Sequence, residues 1–324
     1  MKTMKWLVQR EFWEHKGAIF WAPIVVASAL VLFIGGTVMY AIGSGKFGGD
    51  SITINGRHAD MTMAFHTLSA QDQQMFVNAM SSGYMAAAGP LYIMLSVVVF
   101  FYCLSAMFEE RRDRSILFWK SLPVSDQQTV LSKVATALIV APLITIGVAS
   151  FASVLILLIT CAALGLNGVN LFGAVLTSPQ VYLGPLQIVG MLPVYALWAL
   201  PTVGWLLMVS AWAKSKVFLW AVGTPVIAII IVKWAEKLLG TGMNADWFIQ
   251  NVVARGLLGL LPGAWFGFEQ VNPELLTAGR MMDFGNVFAQ SWMTLAGPSV
   301  WIGAIAGGLM IFAAMRLRRW KDEG

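Results

Sequence analysis

The chain has 324 residues, of which 11% are charged and 58% are apolar. A soluble globular protein carries about 25% charged residues, and a folded domain must still cover itself with polar surface. The composition therefore excludes a soluble enzyme, a disordered chain and a disulfide scaffold, and it requires a lipid bilayer as solvent. Both cysteines, Cys103 and Cys161, lie in apolar runs and are interpreted as buried hydrophobic residues.

Long charge-free runs predict six membrane-spanning helices, because a span needs about 20 mostly apolar residues. The longest run lies between Lys133 and Lys214 and has room for two spans and a neutral connection. The predicted spans, numbered 1 to 6 in chain order, are 18–42, 88–108, 135–164, 186–212, 217–235 and 298–315. We expect a single all-α membrane domain over residues 1–324.

The segments outside the spans also have distinct patterns. Residues 1–16 are charged and aromatic with apolar residues at helical spacing, which predicts an interfacial helix. Residues 43–87 are predicted to form an external loop with a turn at Asn55-Gly56 and a helix start at Ser69.

The segment 236–297 is predicted to be external or re-entrant. Within it, the apolar stretch 256–268 is too short to cross a bilayer and is interrupted by Pro262-Gly263. It is interpreted as a re-entrant or interfacial helical hairpin before the last span. Two additional spans within 240–297 would preserve the orientation of the termini, and this alternative stays open.

Basic residues predict the orientation. Most of the 21 lysines and arginines lie at the two termini, in the loop 109–133 and in the turn 213–216. Because short cytoplasmic loops are rich in basic residues, these segments and both termini are predicted to be cytosolic.

The sequence offers little catalytic chemistry. The three histidines have no ligand or triad partners at suitable spacing, and the GSGK segment at 43–46 lacks the rest of a phosphate-binding loop. No ionisable residue lies centrally in a predicted span, which argues against an ion-coupled carrier. A secondary carrier, a channel and a membrane-embedded lipid-modifying enzyme are kept as alternatives, and nothing indicates nucleic-acid binding.

The loop 109–133 is the most informative segment. Its charged start is followed by a short apolar helix that ends at Pro123, and Ser125 with Gln128 forms a capping box for the next helix. A cytosolic helix that carries Phe118 and Trp119 needs a cover, because large apolar side chains are rarely left in water. The cover is either the membrane surface or a cytosolic partner.

The sequence Glu-Arg-Arg-Asp-Arg-Ser at 110–115, followed by Leu-Pro-Val-Ser at 122–125 between spans 2 and 3, resembles the permease subunits of type-2 ABC transporters. The resemblance implies a subunit of the cytoplasmic (inner) membrane that pairs with a second permease copy or a paralogue. A separate cytosolic ABC ATPase would bind ATP and Mg, so this chain would bind no cofactor and would have no ATPase site. Transport would be export by alternating access.

By the same resemblance, the loop 109–133 contains a coupling helix. The residues implied in ATPase docking are Glu109, Arg111, Arg112, Arg114, Ser115, Ile116, Leu117, Phe118, Trp119, Leu122, Pro123 and Ser125.

Two further groups have alternative interpretations. In span 4, Tyr195, Trp198 and Trp205 line a substrate path, or they pack and anchor the helix at the membrane boundary. In span 6, Gly303 and Gly307 permit close helix packing, either within the chain or with a second copy.

Overall fold

The structure, a computed structural model, describes residues 2–43, 52–54, 57–59, 69–113, 124–240, 244–278 and 281–320. In these ranges six helices are long and apolar enough to cross a membrane, which confirms the six predicted spans. They cover Gly17–Ala41, Ala70–Arg112, Asp126–Leu166, Pro179–Trp212, Val217–Leu238 and Pro298–Trp320.

The α-helical segments are Lys2–Glu14, Ala22–Gly43, Ala70–Gly83, Gly89–Ser105, Phe108–Arg112, Asp126–Ala135, Ala141–Leu166, Phe172–Leu176, Pro179–Gly190, Leu192–Trp212, Val217–Leu239, Ala245–Phe248, Arg255–Leu258, Ala264–Phe268, Phe284–Met293 and Pro298–Trp320. Between them lie π-helical segments at Gly17–Trp21, Thr136–Val140 and Ile249–Ala254, and 3₁₀ turns at Tyr84–Ala88, Pro273–Leu276 and Thr294–Ala296. Two short antiparallel ribbons pair Ile52–Ile54 with Arg57–Ala59 and Thr277–Ala278 with Met281–Met282.

Span 2 begins earlier than the sequence predicts. Its helix starts at Ala70, which confirms the predicted helix start at Ser69: the Ser69 hydroxyl accepts a hydrogen bond from the Asp72 amide at 3.2 Å. Residues 70–87 of the predicted external loop are therefore helical and continue into the span. Pro90 does not end the helix because it occupies the first turn of Gly89–Ser105, where its missing N–H is not needed.

Span 3 contains an irregularity beside Pro142. The π-helical segment Thr136–Val140 directly precedes the α-helix Ala141–Leu166. Proline lacks the N–H that would continue an α-helical ladder, and a π-helical turn absorbs this mismatch.

Span 4 lies at the centre of the bundle. Trp198, Leu206 and Leu207 are fully buried in the largest apolar core. Spans 4 and 6 approach closely at two glycines, since a Cβ atom on Gly204 would lie only 2.5 Å from the Gly307 carbonyl oxygen. Spans 1 and 5 are peripheral and have extensive exposed apolar surfaces.

The segment 245–268 forms a helical hairpin. Helical turns from Ala245 to Leu258 are followed by a reversal through Gly263, whose φ is +88°, and by a short return helix. The reversal packs against spans 2 and 4: the Ser96 hydroxyl donates to the Leu260 carbonyl at 3.0 Å. Within the described part of 240–297, no additional helix meets the length and hydropathy of a span.

Candidate functional site

The N-terminal helix, Lys2–Glu14, packs against the start of span 3. Leu7 and Glu11, four residues apart and therefore on one helix face, are both buried. Trp6 and Trp13 are exposed on the opposite side, where aromatic side chains suit a membrane boundary. The helix thus combines an aromatic exposed face with a face integrated into the protein, which the sequence pattern alone did not predict.

Glu11 is the centre of a buried ion-pair network. Its carboxylate accepts from the Lys133 ammonium at 3.0 and 3.1 Å, and from the Tyr102 hydroxyl at 2.9 Å. Arg10 donates to Glu11 at 2.7 Å. The side chains of Glu11 and Lys133 are almost completely buried, so each charge depends on its partners for stabilisation.

Glu110, at the end of span 2, extends this network to the other end of the chain. One of its oxygens lies 2.9 Å from the Lys133 ammonium, and the other accepts from Arg318 in span 6. The same Arg318 guanidinium donates to Asp126 at 3.1 Å. We call these residues the charged cluster: Arg10, Glu11, Glu110, Asp126, Lys133 and Arg318.

The charged cluster places the two chain ends at the same end of the bundle. It joins the N-terminal helix and the last turns of span 6 to the end of span 2 and the start of span 3. Glu110 and Asp126 lie on either side of segment 114–123, so Arg318 holds together the two helices from which that segment emerges. Within this set three cations contact three carboxylates, and Arg10 also pairs with Glu14 at 3.2 Å.

Arg111 and Ser210 connect the end of span 2 to the end of span 4. The Arg111 guanidinium donates to the carbonyls of Ser210 and Ala213, the latter at 2.9 Å. The Ser210 hydroxyl accepts from the amides of Met107 and Phe108 at 3.1 Å. Arg111, predicted as a docking residue, is thus engaged in capping the last carbonyls of span 4.

The other predicted docking residues differ in position. Glu109 and Arg112 are exposed, and Arg112 pairs with Asp113 at 3.0 Å. Ser125 is exposed and forms the predicted capping box with Gln128. Residues that lie outside the described part of the chain are Arg114, Ser115, Ile116, Leu117, Phe118, Trp119, Leu122 and Pro123.

A group of potential metal ligands adjoins the charged cluster. Ligand atoms of Glu11, Glu14 and His15 lie within 4.8 Å of one another. The Glu11 carboxylate, however, already accepts from the Lys133 ammonium and the Tyr102 hydroxyl. Because the Glu11 oxygens already have these partners, the arrangement fits an ion pair better than a metal site. Burial lowers the pKa of His15 from its usual value, against the attraction of Glu11.

The aromatic residues of span 4 separate into two environments. The Trp198 indole N–H donates to the Thr294 hydroxyl at 3.2 Å, and that of Trp205 donates to the Ala221 carbonyl at 3.0 Å. Tyr195 lines a cavity of about 470 Å³ between spans 2, 3 and 4 and the hairpin. Trp205 lines a second cavity of about 440 Å³ between spans 4, 5 and 6 and the hairpin.

The two glycines of span 6 serve different neighbours. A Cβ atom on Gly307 would lie 2.6 Å from the Leu200 carbonyl oxygen, so Gly307 allows spans 4 and 6 to touch within one chain. A Cβ atom on Gly303 would lie 2.4 Å from Arg255 Nη2. Arg255, which belongs to the segment predicted to be external or re-entrant, is buried.

The buried partners Glu11, Lys133 and Arg318 were not predicted as functional residues. For Glu11 a signal was present, because it lies four residues after Leu7 on the apolar face. For Lys133 and Arg318 the sequence shows only a charge near the end of an apolar helix, a pattern that snorkelling surface residues share.

Comparison of the chain with protein-family models, with curated proteins and with solved structures gives no match. The resemblance to type-2 ABC permeases therefore rests on the residues of the loop 109–133 and on the arrangement of the spans.

Proposed function

We propose that this chain is the membrane-spanning permease subunit of a type-2 ABC exporter, driven by a separate cytosolic ATPase that binds segment 114–123. The single observation that carries the proposal is the charged cluster. It fixes the helices on both sides of that segment to the N-terminal helix and to span 6.

A coupling element has to transmit displacement into the membrane domain. Buried, hydrogen-bonded ion pairs suit this task, because separating one leaves an uncompensated charge in a dry environment. A force on segment 114–123 would thus move spans 2, 3 and 6 and the N-terminal helix together. The ATPase can drive alternating access only if its nucleotide states bind the inward and outward arrangements unequally.

The partner is tested by crosslinking from the docking segment. Phe118→Cys introduces a reactive thiol into that segment, while Cys103 and Cys161 are buried and stay inert. A maleimide–diazirine reagent is applied to membranes of the organism that produces the chain. We expect an adduct with a protein that contains a phosphate-binding loop and hydrolyses ATP. Met75→Cys, exposed at the opposite end of span 2, should not give it.

The coupling role is tested with Arg318→Met in the purified complex of chain and ATPase. Arg318 is buried in the charged cluster, whereas Arg319 is exposed on the same helix turn and provides the matched control. We expect Arg318→Met to retain bound ATPase but to lose the effect of the permease on ATP hydrolysis, and Arg319→Met to behave as wild type. Absence of any ATP-hydrolysing adduct from Phe118→Cys, or normal coupling in Arg318→Met, would contradict the proposal.

A further inference from the structure

Arg255, in the hairpin between spans 5 and 6, is buried without a complete set of partners. Its residue exposure is 7%. Among the described residues, its Nε and Nη2 atoms have no hydrogen-bond acceptor. A guanidinium keeps its charge in proteins, so it cannot relieve this situation by losing a proton. An unpaired buried charge is costly, which points to an acceptor supplied from outside the chain.

The surroundings hold the guanidinium in a defined place. Its central carbon lies 4.3 Å from the centroid of the Trp198 ring, a cation–π contact. The Arg255 backbone is fixed by the Thr202 hydroxyl, which donates to its carbonyl at 3.2 Å. On the other side, Gly303 provides space for the guanidinium. A Cβ atom added at position 303 would lie 2.4 Å from Arg255 Nη2, so a larger residue there would occupy this space. Span 6 is shaped to admit the group.

Arg255 is one of the residues that line the apolar cavity of about 440 Å³ between spans 4, 5 and 6 and the hairpin. Pockets that hold drug-sized molecules have volumes of about 300–1,000 Å³. Apolar side chains form most of its wall, among them Pro201, Trp205, Pro225, Val252, Ile302 and Met310.

One carboxylate of the protein, that of Glu269, acts electrostatically on Arg255. It accepts a hydrogen bond from the Ser299 hydroxyl. Within the ranges that the structure describes, it makes no ion pair with Arg255 inside 4 Å. Among the described residues the protein therefore supplies no ion-pair partner to this guanidinium.

We propose that this cavity binds an amphipathic anion: a molecule with one acidic head group, held by Arg255, and an apolar body that fills the space between the spans. Carboxylate and phosphate oxygens match the planar donor pattern of a guanidinium. The bound molecule is either a free long-chain acid or an anionic phospholipid of the bilayer. Binding needs no ATPase, so it can be tested independently of the proposed transport function.

The probe is cis-parinaric acid, a fluorescent long-chain carboxylate, titrated into the full chain in phosphatidylcholine nanodiscs. Energy transfer from tryptophan reports binding, because Trp205 lines the cavity. We expect saturable binding that weakens at least tenfold for the methyl ester of the probe, since the ester has no charge for Arg255 to pair with.

Variants locate the site. Arg255→Met and Gly303→Ala should each weaken binding at least tenfold, the second by displacing the guanidinium. Gly308→Ala, on the same helix with open space around it, should leave binding unchanged. Glu269→Gln should bind the probe at least as well as wild type.

Competition identifies the source. Displacement by phosphatidylglycerol but not by oleate supports a lipid occupant, and the reverse supports a free acid. Equal affinity for acid and ester overturns the proposal without any variant. Wild-type affinity in correctly folded Arg255→Met overturns it as well, as does binding that appears only in Glu269→Gln, because Glu269 would then be the native partner.

Discussion

Replacing Lys133 by methionine should destabilise the protein more than replacing any exposed lysine. The ammonium lies 3.0 Å from Glu11 and 2.9 Å from Glu110, and its side chain is 2% exposed. Methionine preserves most of the side-chain volume, so the change removes the charge with little cavity. Both carboxylates then remain buried, and among the described residues their remaining cationic partners are Arg10 and Arg318.

The magnitude follows from the burial of these groups. Removing one partner from a buried ion pair costs about 3–5 kcal/mol. For a chain of this size we expect a fall in the melting temperature on the order of 5–10 °C. The double variant Lys133→Met/Glu11→Gln should recover part of the loss, because it removes one cation and one anion and leaves Glu110 with two arginines.

The assay is thermal unfolding of the full chain in a neutral detergent, followed by tryptophan fluorescence and by size-exclusion chromatography after heating. Lys237→Met is the control, since Lys237 is exposed at the end of span 5, and it should change stability by less than about 0.5 kcal/mol. A melting temperature of Lys133→Met equal to that of the control would refute the reasoning. So would a double variant that is less stable than the single one by the full cost of a second buried charge.

Three further results are expected. Phe118→Asp or Trp119→Asp should abolish ATP-dependent transport, measured by a transport assay, while membrane insertion, measured by protease protection, stays normal. Full transport by these variants would contradict the proposal that segment 114–123 binds the ATPase. Gly307→Ala should lower the free energy of unfolding by about 1–3 kcal/mol through overpacking between spans 4 and 6. The control Gly308→Ala should not change it, and equal melting temperatures for the two variants would disprove the overpacking. Burial lowers the pKa of His15 below its usual value of 6.5. The neutral imidazole therefore contributes its full stabilisation above pH 6.5, and this contribution falls as the pH drops below 6.5. His15→Phe should reduce the change in melting temperature between pH 7.5 and 5. An unchanged pH dependence would exclude His15 as the cause of the loss of stability at low pH.

The sequence was sufficient for features that depend on composition and local chemistry. Uninterrupted apolar runs determine where a chain can cross a bilayer, because each backbone polar group must be satisfied within its own helix. Six spans, the capping box at Ser125 and the reversal at Pro262-Gly263 follow from such local rules. The helix start at Ser69 was also predicted. Its continuation into span 2 was missed, because a polar helix and a polar loop have similar compositions.

Other features depend on which helices become neighbours. Glu11 and Lys133 are 122 residues apart, and Glu110 and Arg318 are 208 apart, yet each pair is in contact. Arg255 belongs to a segment predicted to be external or re-entrant, and its contacts with Trp198 and Gly303 did not follow from the sequence. Hydropathy and spacing describe one helix at a time. The sequence pattern of a charged residue at a helix end is the same whether that residue faces water or another span.

What the sequence determined by itself is therefore the set of membrane helices and their local starts and stops. Only the tertiary structure decided that the helices flanking segment 114–123 are joined to both ends of the chain, and that one arginine of the hairpin borders an apolar cavity. The physical reason is that the free energy of a charge depends on its surroundings in three dimensions, which contacts between distant segments create.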